Sequence, residues 1–149
     1  MLFEILGLVF SIIVGTIGHF LYQWSNNNTF IGFLFSKDES IFQHLKLGIT
    51  PIFMWTIIEF FTFNFSMLFF AKFVSILAFV FTLLFLYYGY KFIMKKNILF
   101  LDILIFYISL TVSYIVSIKL LMSSCSGFLL NFIGFMGFVF IGYLYKKLN

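Results

Sequence analysis

Charge is what this sequence has least of. Five acidic and nine basic residues make up 9% of 149 positions, against the roughly 25% with which a soluble domain covers its surface. A water-facing globular domain is excluded, and the outer surface has to meet lipid. Arginine is absent: all nine basic residues are lysine. With one cysteine, Cys125, there is neither an internal disulfide nor a cysteine-based metal site. With one proline, Pro51, long helices run almost uninterrupted. The alternating segments of roughly ten residues that a membrane barrel requires are missing. So are His-Glu-x-x-His, a Walker lysine and Cys-x-x-Cys. Ser124-Cys125-Ser126-Gly127 superficially suggests a nucleophile, but it lies opposite both histidines in the topology derived below.

What is present is apolar. Hydrophobic residues make up 63% of the chain, Phe alone contributes 26, and the mean hydropathy is +1.14. The block from Phe73 to Tyr90 contains no charge. These features predict an all-α integral membrane bundle in contact with the lipid bilayer. The sequence pI near 9.2 reflects lysines flanking helices, so no nucleic acid is expected as a partner. The first apolar run carries Glu4 and ends in Gly18-His19-Phe20-Leu21-Tyr22. It lacks the basic start and small-residue cleavage site of a secretory signal, and is expected to be retained.

A span needs about 20 apolar residues. Five fit, as a single transmembrane domain with helices at about 2–22, 37–63, 67–90, 98–120 and 127–145. The stretch Phe30 to Phe35 is too short to cross and is expected in the interface or as a re-entrant piece. Ser36-Lys37-Asp38-Glu39 reads as a capping box for the second span. Thr62 to Ser66 is the most polar place for a reversal before the third. Five crossings put seven lysines on one side, and Lys72 and Lys119 on the other. The lysine bias places the N-terminus outside and the C-terminus in the cytoplasm of a bacterial inner membrane.

The polar residues concentrate in the first two spans. Gly7, Ser11 and Gly15 repeat every four residues, a spacing that lets another helix approach closely. His19 ends that line. On the second span, Ser40, His44, Gly48, Pro51, Trp55, Glu59 and Thr62 share one sector at about 100° per residue. This stripe should face protein or water. Pro51 frees a backbone carbonyl one turn earlier. Glu59 inside the span costs about 2.5–3.5 kcal/mol on insertion scales if charged, and Lys72 across the reversal is its expected partner. The pair reads either as structural or as a proton- or ion-coupling site. Asp102 suits a helix N-terminus; Ser109, Ser113 and Ser117 share its face. Gly127, Asn131, Gly134 and Gly142 line one side of the fifth span.

Binding or pathway candidates are therefore His19, Tyr22, Trp24, Glu39, Ser40, His44, Trp55, Glu59 and Lys72. Of these, His19, Glu39 and His44 are the candidate ligands of a divalent metal. The runs Gly15-x-x-x-His19-x-x-Tyr22-x-Trp24-Ser25 and Glu39-Ser40-x-x-x-His44-Leu45-Lys46-Leu47, with Asn27 between and Pro51 following, resemble an uncharacterised family of small polytopic membrane proteins from Clostridia-type bacteria. That resemblance implies a fold and a place for a site, not an activity.

Three functions fit these residues. One is a transporter, channel or membrane-embedded binding subunit for a small solute or ion. A second is an assembly or immunity protein whose glycine faces, at Gly15 and Gly134, bind a partner membrane protein or a second copy. The third is a membrane-embedded enzyme, metal-dependent in one version, at the cytoplasmic His/Glu site. Nothing in the sequence identifies a cofactor.

Overall fold

The first apolar run forms one helix, α1 (Leu2–Trp24), and the amides after it end it. Asn26 and Asn27 both take the left-handed conformation (φ 53° and 59°), which asparagine tolerates better than most residues. Asn28 then accepts the N–H groups of Phe30 and Ile31 on its side-chain oxygen, which starts a six-residue helix, α2 (Thr29–Leu34). This short element is the stretch that could not span. Beyond it follow α3 (Ile41–Thr62), α4 (Leu68–Met94), α5 (Leu99–Leu121) and α6 (Phe128–Lys147). The computed structural model describes residues 1–38, 40–62, 67–96, 98–123 and 127–147, without the Lys147 side chain. The expected reversal at residues 63–66, Glu39, and the Ser124-Cys125-Ser126 run lie outside them. No strand occurs among the described residues. Five helices are long and apolar enough to cross a membrane: α1, α3, α4, α5 and α6.

The second span begins later than the capping box at Ser36 implies. Ser36 donates to the Asp38 carbonyl at 2.6 Å instead, and Asp38 accepts the Ser40 N–H at 2.8 Å. These bonds close a turn, and the helix starts after it. Ser40 is the working cap, with its hydroxyl accepting the Gln43 N–H at 3.3 Å. Hydrogen bonds from the Ser40 side chain and backbone hold the Asp38 carboxyl below the usual carboxylate range. At the other boundary that shifts, α4 continues to Met94, where Lys95 turns left-handed (φ 52°) and its N–H closes on the Lys91 carbonyl.

Four helices close a ring: α1 packs on α3 and α5, and α4 packs on α3 and α5 from the far side. Inside it lie Ile52, Ala71, Ile76, Phe79, Leu83 and Leu110, all fully buried. The sixth helix lies outside the ring against α4, with Phe138 on Phe53 of α3. Its far end is tied by Tyr145, whose hydroxyl donates to the Leu34 carbonyl at 2.7 Å and meets the Thr50 hydroxyl at 2.6 Å. Of the five long helices α3 is the most enclosed, which is why it carries the polar stripe. The Leu47 carbonyl, released by Pro51, rests against Gly15 of α1, in space a side chain would take.

Candidate functional site

Three charged side chains meet inside the ring. Lys72 of α4 donates to a Glu4 oxygen of α1 at 2.5 Å and forms an ion pair with Glu59 of α3 at 2.6 Å. Relative exposures are 3% for Glu4, 0% for Glu59 and 1% for Lys72. The Glu59 contact lacks hydrogen-bond alignment, so both its oxygens, and the second oxygen of Glu4, are buried without a hydrogen bond among the described residues. Fully ionised, two carboxylates face one ammonium, and one negative charge stays uncompensated in a medium where charge is costly. The Tyr114 ring of α5 covers the cluster, 5.3 Å from the Lys72 nitrogen. Every helix of the ring thus contributes a residue to it.

From this cluster a line of hydroxyls follows the seam between α1 and α5. Ser11 and Tyr114 bond at 2.7 Å, and further along Thr16 and Tyr107 bond at 3.0 Å. The seam ends at His19, whose ring lies 5.5 Å from that of His44 on α3. Next to them two adjoining cavities of about 380 and 330 Å³ share His44, Leu99, Asp102 and Phe106 as lining. His44 is oriented by its own cap, with Nδ1 2.9 Å from the Ser40 carbonyl. A carbonyl only accepts, so Nδ1 carries the hydrogen and Nε2 is left as the acceptor of the neutral ring. Asp102, in the first turn of α5, receives a hydrogen bond from Tyr90 of α4.

The residues expected from sequence fall into separate places. Glu59 and Lys72 do pair. His19 and His44 come together, with Ser40 as their positioning neighbour. Trp55 packs between Phe3 and Phe10 of α1, over Gly7, and its buried indole N–H has no hydrogen-bond partner among the described residues. Tyr22 lies on Gly32 of α2. Trp24 joins neither site: it is 70% exposed and stacks on Phe20. Among the described residues no three His, Cys, Asp or Glu side chains gather as a metal would require; Glu39, the third ligand expected, lies outside them.

Two residues escaped sequence reasoning. Glu4 sits in the first turn of α1, where a carboxylate is favoured by the helix dipole and needs no other role. Its depth beside Lys72 follows only from how the ring of α1, α3, α4 and α5 closes. Tyr114 lies off the serine face of α5, yet it is the residue that reaches Ser11. The glycines read as partner surfaces are occupied within the chain. Gly15 meets Phe106 and Leu47, and Gly134 meets the α4 backbone at Phe69 and Phe70.

The chain belongs to a family of unknown function, DUF6512, whose family model matches residues 2–146. No curated protein and no solved structure matches it.

Proposed function

We propose that the protein is a transport or membrane-embedded binding subunit for a small solute or ion, driven by protonation of the Glu4–Lys72–Glu59 cluster. The observation that carries this reading is the charge imbalance: two buried carboxyls around one ammonium, with three carboxyl oxygens left without a hydrogen bond among the described residues. One proton taken up between the glutamates makes the cluster neutral, and its release restores the net charge. Such a site changes its electrostatics with a single proton, as a coupling element must. The hydroxyls along the α1–α5 seam supply the direction in which that change is felt, toward the histidine end. The lysine distribution supports a bacterial inner-membrane orientation with the cluster near the outer face and the histidines near the cytoplasm.

The test is proton flux into vesicles. Purified protein in liposomes containing a pH dye, under a potassium–valinomycin potential, should take up protons faster than protein-free vesicles. Glu59→Gln should slow this at least about tenfold while circular dichroism and elution profile stay unchanged. Equal rates for the variant and the parent, or a parent indistinguishable from empty vesicles, would overturn the reading.

A further inference from the structure

The cavity pair at the histidine end is lined by one carboxylate, Asp102, with His19, His44 and the hydroxyls of Thr16, Tyr87 and Tyr107 as its other polar groups. Asp102 makes no ion pair among the described residues; its one side-chain partner is the Tyr90 hydroxyl. Lys91, one residue beyond Tyr90, forms no ion pair with Asp102: its ammonium donates at 3.2 Å to the hydroxyl of Tyr87, a lining residue of the larger lobe, and sits 5.2 Å from that ring. The second polar group shared by both lobes is His44, which offers Nε2 as an acceptor when neutral. The remaining shared walls are Phe106 and Leu99. A site with a half-buried carboxylate, an imidazole acceptor and an aromatic wall complements a positive charge on an apolar body. An anion would meet the Asp102 carboxylate, and a neutral apolar molecule would leave it without a counter-charge. The two lobes, about 380 and 330 Å³, fall at the size of small-ligand pockets, which run about 300–1,000 Å³.

We propose that this cavity binds a small organic cation, a protonated amine carrying a compact apolar group. The ammonium sits on Asp102 within reach of His44, and the body lies against Phe106 and Leu99. The proposal rests on the histidine end alone and stands whether or not the Glu4–Lys72–Glu59 cluster carries protons.

The experiment is calorimetric titration of the full chain in phosphatidylcholine nanodiscs at pH 8, with empty nanodiscs subtracted. Three probes of one shape are compared: phenethylamine, 2-phenylethanol and 3-phenylpropionate. Phenethylamine should bind saturably at one site per chain, with the alcohol and the carboxylate at least roughly tenfold weaker. Asp102→Asn keeps a partner for Tyr90 and should weaken the amine about tenfold, with no effect on the alcohol. Leu99→Trp, which enlarges a side chain lining both lobes and leaves Asp102 in place, should weaken amine binding at least about tenfold. Preference for the carboxylate would assign the site to anions and overturn the proposal. Amine affinity unchanged by both variants, no saturable binding, or binding that appears only with added Zn²⁺ and vanishes with EDTA would overturn it equally.

Discussion

Lys72→Met is expected to destabilise the bundle by about 3–5 kcal/mol, the cost of removing one partner from a buried ion pair. It leaves Glu4 and Glu59 facing each other with no cation between them, in a site closed to water. The two glutamates should respond quite differently. Glu59→Gln leaves Glu4 and Lys72 as a balanced pair at 2.5 Å, and the new amide can accept from the ammonium. Its cost should be near one ordinary hydrogen bond, about 1 kcal/mol. Glu4→Gln should be similarly mild. The double variant strands the ammonium and should again lose about 3–5 kcal/mol. Thermal melts followed by circular dichroism in one detergent check the order. Infrared spectra add a signature that a purely structural ion pair would not give. The parent should show the carbonyl band of one protonated carboxylic acid at neutral pH, absent from Glu59→Gln. Equal destabilisation by Lys72→Met and Glu59→Gln, or a parent without that band, would show that the cluster holds no extra proton.

The second large effect is expected at Gly134. A methyl group placed there falls on the backbone of Phe69 and Phe70 in α4. Backbone cannot rotate aside as a side chain can, so Gly134→Ala must push α6 off α4. Overpacking of this kind costs about 1–3 kcal/mol, and here it also strains what α6 holds. Asn131 accepts the Phe69 N–H at 2.9 Å, and Tyr145 reaches Thr50 and Leu34 at the other end. Gly142 on the same helix has nothing within 4 Å of an added Cβ, so Gly142→Ala should stay within about 0.5 kcal/mol of the parent. Melting temperatures of the two variants, measured side by side, decide the matter. If they coincide, α6 is not seated on α4 at Gly134. The comparison also separates internal packing from partner binding, because Gly134→Ala should destabilise the isolated chain with no second protein present.

Some of the site was legible in residue order. The pairing of Glu59 with Lys72 follows from two charges at similar depth on successive spans joined by a short reversal. His19 and His44 follow in the same way from the end of one span and the start of the next. Glu4 was not legible, because a carboxylate in a first helical turn is already satisfied locally and points to no distant partner. Asp102 was read as a helix-end residue, which it is, while the two cavities it lines are made by α1, α3, α4 and α5 together. Trp24 went the other way. Its place between His19 and the amide-rich turn suggested a site residue, yet the helix carries it to the exterior.

Residue order alone makes the chain helical, gives it five helices long and apolar enough to cross a membrane, and makes α3 the polar one. Those properties depend on composition and on the 3.6-residue period, both of which are local. Which charges share a site depends on how the helices pack. Closing α1, α3, α4 and α5 into a ring brings Glu4 to a lysine 68 positions away and Ser11 to a tyrosine 103 positions away. It also leaves Asp102 lining a cavity without an ion-pair partner among the described residues. The charge balance of a buried site is the sum over all helices that reach it, and no single helix carries that sum in its own sequence.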